Sequence, residues 1–177
     1  MRAVTIARNY AETLVALAEE AGALEQWGNM IDVTAAAFAT PSIESVLMSP
    51  RVTRDQKIKL ITDAMHEAPR PYVLFLSAVV RRGRQMLFGM IADEYRKLAD
   101  IKLNRIRAGV TVARELDTAA RDALVARLSA ALGKDVIAAF AVDPAILGGI
   151  TIRIGDRVYD GSVRKRLAVL RHKLLAQ

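Results

Sequence analysis

Residues 143–167 read DPAILGGITIRIGDRVYDGSVRKRL. Ile150, Ile152 and Ile154 alternate with Thr151 and Arg153, the period of a strand with one apolar face. Gly155-Asp156 is a two-residue hairpin signal, and Arg157 to Asp160 returns as the partner strand. Gly161-Ser162 then opens a last helix, Val163 to Leu175, with Leu167, Leu170 and Leu174 on one face, which the pattern expects to bind the helix to the core. This end of the chain is therefore α+β with a small sheet.

The texture continues upstream. Ala108 to Ala113 alternates around Val110, Thr111 and Val112. Asp117 stands where an N-cap belongs, before a helix to Leu132 that Gly133 ends. Val136 to Val142 is a short apolar run bounded by charge and proline.

Before Arg105 the periodicity is helical. On the first helix Ile6, Tyr10, Leu14 and Leu17 form one stripe, and Ala3, Ala7, Ala11 and Ala18 a smaller one beside it; Gly22 follows as a stop. A second helix runs from about Leu24 to Phe38. Thr40-Pro41 reads as a cap followed by proline in the first turn of a short helix. Thr53 and Gln56 have capping-box spacing. Pro71 begins an apolar helix through Val80, and Gly83 follows its basic end. A long helix covers roughly Met86 to Arg105, with Leu87, Ile91, Tyr95 and Leu98 on one face and an Asp93–Lys97 pair on another. The fold expected is mainly α: an N-terminal six-helix bundle over residues 1–105, then a small α+β C-terminal domain over 106–177.

Composition narrows the function. Of 177 residues 53% are hydrophobic, enough to bury a core. The absence of cysteine excludes disulfides, thiolate metal sites and a cysteine nucleophile. No apolar run approaches the roughly 20 residues of a membrane span. Met1-Arg2-Ala3 leads at once into an amphipathic pattern, so no signal peptide is expected. The net charge of +7 is uneven: 14 Lys/Arg against 12 Asp/Glu through Arg105, then 12 against 7. A basic C-terminal part points to an acidic partner, nucleic acid or an anionic surface.

No constellation supports catalysis. His66 has no second histidine at zincin spacing, and His172 sits where the dipole of the last helix favours a cation. Gly148-Gly149 precede a strand, not the helix a phosphate loop needs, and fit a strand entry better. Asp143 and Asp156 read as turn residues and Asp160 as the lead into a helix cap, so they make no metal cluster. Ser162, Asp160 and His172 contain triad residue types, but no nucleophile elbow surrounds the serine. The expectation is no catalytic residue, no cofactor and no metal. The basic last helix (Arg164, Lys165, Arg166, Arg171, Lys173) leaves a nucleic-acid-binding adaptor as the alternative, although aromatic residues for base stacking are few.

The segment Asp143 to Leu167 closely resembles the signature of the delta-subunit family of F-type ATP synthases, whose mitochondrial counterpart is the oligomycin-sensitivity-conferring protein. Ala7-Arg8-Asn9-Tyr10-Ala11 looks like the family's opening helix. Ser49-Pro50-Arg51-Val52, with Lys57 and Leu60, matches its central segment, and Tyr72 to Arg84 its hydrophobic helix ending in a basic pair and glycine. The chain departs from the family's frequent Asn-Phe at Pro71-Tyr72, and from its small residue at Lys165.

The resemblance implies a non-catalytic stator. In the family the helical domain binds the N-terminal helix of an alpha subunit on the catalytic head. The C-terminal domain meets the b subunits of the peripheral stalk, so that proton-driven rotation of the central shaft yields ATP. It implies placement at the cytoplasmic face of a bacterial inner membrane, reached only through partners, and no binding of nucleic acid. Within that reading, helices one and five are expected to form an apolar groove for the alpha-subunit helix, at Ala7, Tyr10, Ala11, Leu14, Leu76, Val79 and Val80. Arg164, Arg166, Leu170 and Leu174 of the last helix are expected to meet the b subunits.

Overall fold

The computed structural model describes residues 2–175; Met1 and residues 176–177 lie outside them. The chain divides into two compact units, one running to Asp100 and the other beginning at Ile101.

The first unit is built from α1 (Arg2–Glu20), α2 (Leu24–Phe38), α3 (Pro41–Met48), α4 (Arg54–Ala64), α5 (Arg70–Arg81) and all but the last two residues of α6 (Phe88–Lys102), with a 3-10 turn at Gln85–Leu87 before α6. Its core joins Ala7, Ala11 and Leu14 to Trp27 and Ile31, and to Tyr72, Leu76 and Val79. On α1 the alanine side is the buried one. Ile6, Tyr10 and Leu17 flank it half-buried, and Ala3 is exposed. Small side chains let neighbouring helix backbones come close, so Ala7, Ala11 and Ala18 form the seam together with Leu14, and Ile6, Tyr10 and Leu17 form its rim.

Aromatic edges lock this core. Trp27 meets Tyr72 edge-on at 5.7 Å, and Phe38 lies 4.8 Å from Phe88. The Tyr72 hydroxyl lies 2.9 Å from the Thr34 hydroxyl. Thr34 itself donates to the Met30 carbonyl at 2.7 Å, so Tyr72 is the donor to Thr34.

Local capping follows the sequence at Thr53. Its hydroxyl accepts the Gln56 N–H at 3.3 Å, while the Gln56 side chain accepts the Thr53 N–H at 2.9 Å. Thr40 differs: its hydroxyl turns back to the Ala36 carbonyl, 3.3 Å away in α2, and caps nothing in α3. The expected Asp93–Lys97 pair does not form. Arg96 takes Asp93 at 2.9 Å and also reaches Asp32 of α2 at 2.6 Å, leaving Lys97 to Glu94 at 2.7 Å. An arginine that spans two carboxylates outcompetes a surface pair within one helix turn.

The second unit holds β1 (Arg105–Val112), α7 (Thr118–Leu132), β2 (Asp135–Val142), a 3-10 turn at Pro144–Ile146, β3 (Ile150–Ile154), β4 (Arg157–Asp160) and α8 (Val163–Leu175). Strand order is β2-β1-β3-β4. β1 and β2 are parallel, joined by α7, and the other pairs are antiparallel. The register sets Val110 beside Phe140 and Ile152, and Ile152 beside Tyr159, on one apolar face. α7 packs on β2, with the Arg121 guanidinium 5.5 Å from the centre of the Phe140 ring. Asp117 caps α7 as its position implies, accepting the Ala120 N–H at 2.7 Å.

Gly148-Gly149 is a site of backbone contact. Gly149 has φ +77°, and a Cβ there would lie 2.5 Å from the Gly161 carbonyl oxygen. Gly148 accepts the Val163 N–H at 2.9 Å, tying the entry of β3 to the start of α8.

Candidate partner-docking surfaces

The first surface is the side where α1 and α5 pack directly together. Of the seven residues expected to line a groove there, Ala7, Ala11, Leu14, Leu76 and Val79 are 0% exposed and Val80 is 1% exposed. They form the wall between helices and offer no contact area to a partner. Their burial follows from α5 being apolar on nearly every side: its innermost stripe is consumed by the bundle, and Leu74 and Ala78 face outward instead. Only Tyr10 reaches the surface. Its ring is set edge-on against Phe75 at 6.1 Å, and its hydroxyl accepts from Arg82 at 3.4 Å. The Arg84 guanidinium lies 5.7 Å over the same ring. Neither Arg82 nor Arg84 was among the contact residues expected from the sequence. The basic end of α5 was the signal for them, but its alignment with Tyr10 is a tertiary fact.

The second surface is α8. No residue of it is buried. Leu167, Leu170, Leu174 and Leu175 are 52–75% exposed, so the leucine face does not bind this helix to the core as its spacing suggested. The hydrogen bonds that tie this helix to the unit gather at its first turn. The Ser162 hydroxyl is buried and accepts the Lys165 N–H at 3.1 Å, and Asp160 accepts the Ser162 N–H at 2.9 Å. Hydrogen bonds from the Ser162 side chain and backbone, then Thr151 and the charge of Lys165, hold the Asp160 carboxyl below the usual carboxylate range. Ser162 is thus a cap and not a nucleophile. Arg164 and Arg166 are exposed on the same helix as Leu170 and Leu174. The result is an amphipathic helix with a cationic side and an unoccupied leucine side.

Elsewhere α2, α3 and α4 border an open apolar groove of about 380 Å³, lined by Phe38, Ile43, Val46, Leu60 and Met65. His66 is exposed beside Glu67, and among the described residues no three acidic, histidine or cysteine side chains gather as for a metal. No helix among them is long and apolar enough to cross a membrane.

Residues 6–174 match the family described as ATP synthase delta (OSCP) subunit. The chain belongs to this family. It is 41% identical over 172 residues to ATP synthase subunit delta of Gemmatimonas aurantiaca, covering 96% of this chain and 93% of that one. It is 35% identical to the subunit delta of Chlorobium phaeovibrioides, over 99% and 98% of the two chains. A chain of the cryo-EM structure of the Toxoplasma gondii mitochondrial ATP synthase hexamer shares the fold, with TM-score 0.66, 19% identity and coverage of 97% and 98%. The family is a non-catalytic part of the ATP synthase complex, which accounts for a site without catalytic chemistry and does not favour the nucleic-acid adaptor.

Proposed function

We propose that this chain is the stator link of an F-type ATP synthase, a bundle domain (1–105) gripping the catalytic head and a domain (106–177) gripping the peripheral stalk. The observation that carries this reading is α8, a 13-residue helix with no buried residue. A helix with four exposed leucines needs a counterpart to cover it. Fully burying a leucine is worth about 1.5–3 kcal/mol, so these half-exposed ones gain about 1 kcal/mol each on docking. Four such gains fall short of the roughly 8 kcal/mol of a micromolar complex. The cations Arg164 and Arg166 must add to them, which calls for an acidic amphipathic partner, the part assigned to the b subunits.

At the other joint, the N-terminal helix of an alpha subunit is taken to lie along α1 and α5. The buried Ala7, Ala11, Leu14, Leu76, Val79 and Val80 shape that surface from beneath, and Tyr10 makes the contact. With both ends held, torque from the shaft cannot carry the head round. The subunit acts by staying attached, at the cytoplasmic face of a bacterial inner membrane and through its partners alone.

The test is to replace Leu170 and Leu174 with Asp and measure binding to the soluble part of the b subunits. Because both side chains are exposed, stability should move by no more than about 0.5 kcal/mol, while affinity should fall at least tenfold. Unchanged affinity in the folded variant would remove α8 from the stalk joint.

A further inference from the structure

We propose that Arg82 and Arg84, held around the Tyr10 ring, form a pocket that reads an acidic side chain on the helix docked along α1 and α5. This rests on the docking reading above and specifies its chemistry. The two arginines, with Ile6, Asn9, Tyr10 and Thr13, line a pocket of about 180 Å³. A single water needs only about 10–15 Å³ of such space, so a carboxylate side chain fits.

The cations are gathered around one ring before anything binds. Phe75 fixes the Tyr10 ring from below, Arg82 donates to its hydroxyl at 3.4 Å, and Arg84 stacks 5.7 Å from its centre. The end of α5 sets their spacing. Gly83, at φ +67°, turns the chain so that the N–H groups of Gly83 and Arg84 return to the carbonyls of Val80 and Val79. Arg82 and Arg84 thereby reach the same ring.

Neither guanidinium has a carboxylate partner among the described residues, in a unit where Arg8 takes Glu12 at 3.1 Å and Arg96 takes both Asp32 and Asp93. Each guanidinium carries five donors, and the tyrosine uses one of Arg82's. The carbonyl end of α5 opposes an anion with about half an elementary charge, against two full positive charges. The balance favours a carboxylate, which an arginine fork binds in plane. Chemistry thus selects a helix with an Asp or Glu placed to enter beside Tyr10. Apolar contacts alone would fix neither its register nor its direction.

The experiment is calorimetry on the full chain. The probe is a synthetic peptide copying the N-terminal helix of the ATP synthase alpha subunit from the same genome. Binding to the unaltered chain should weaken with salt. Arg82→Gln with Arg84→Gln should lower affinity about ten- to a hundredfold, the range of charge-assisted hydrogen bonds, and flatten the salt dependence. A peptide with its acidic residues changed to amides should bind both forms alike. Arg82→Gln alone, at an exposed position, serves as the second variant should the double one melt early. Affinity within twofold in a folded variant would overturn the pocket and leave the docking surface standing. No binding to the unaltered chain would overturn both.

Discussion

Tyr72 and Thr34 carry an asymmetric hydrogen bond, and the asymmetry is measurable. Tyr72→Phe removes one donor from a threonine still bonded to Met30 and should cost about 1 kcal/mol. Thr34→Val leaves the Tyr72 hydroxyl buried without an acceptor and should cost about 1–3 kcal/mol. Urea unfolding followed by Trp27, which touches the Tyr72 ring, ranks the two; equal losses would contradict the assigned direction of donation. Burial, with the Asp32 charge adding to it, pushes Tyr72 up from 10.0 to about 12. Burial raises Tyr95 as well. A tyrosine raised on folding stabilises fully below the unfolded value, and that stability is lost as pH climbs from 10 through 12. The bundle should therefore unfold in alkali over that window, with a shallower loss in Tyr72→Phe. Asp160 has the opposite sign: its contribution is present above 3.8 and fades as pH falls through its lowered value. Pairings of this kind were the least legible in the sequence. Asp93 has a lysine four residues on, and nothing local says that Arg96 will bridge to Asp32 first.

Helix ends were legible at Thr53 and Asp117, where the partner lies within three residues, and misread at Thr40, whose hydroxyl turns back to Ala36. Thr53 and Gln56 or Asp117 and Ala120 satisfy each other locally, so spacing suffices. Thr53→Ala should cost about 1 kcal/mol in thermal unfolding; no shift in melting would mean that tertiary contacts alone hold α4. Helix faces were harder. α1 carries two apolar stripes, and only packing decided that the alanines go inside and Tyr10 stays at the rim. The far end of α3 was beyond reach altogether. Its carbonyls are capped by the Lys57 ammonium, 2.9 Å from the Ser49 oxygen, and by the Gln85 amide, 3.0 Å from the Leu47 oxygen. Lys57→Met should lose a charge-assisted bond, about 1.5–3 kcal/mol. A stability change below 0.5 kcal/mol would show that water replaces the ammonium at that helix end. α8 misled for a related reason: leucines at helical spacing say that a face will be covered, without saying by which chain.

For the whole molecule, element order was readable from period and turn residues, and the strand order was not. Ile150–Asp160 announces its hairpin through a two-residue turn, but pairing β1 with β2 in parallel requires α7 to cross over, a long-range choice. If the bundle is a domain in its own right, residues 1–105 expressed alone should melt cooperatively with the Trp27 signal of the full chain. A fragment without a transition would tie its stability to the second unit. The stator reading demands more: both joints must be occupied at once by one chain. Sedimentation velocity on the full chain mixed with the alpha-subunit peptide and the soluble part of the b subunits tests this directly. The account predicts a single ternary species containing all three, with each partner's affinity unaffected by saturation with the other. Mutual exclusion of the two partners, or failure of either to join the folded chain, would contradict it.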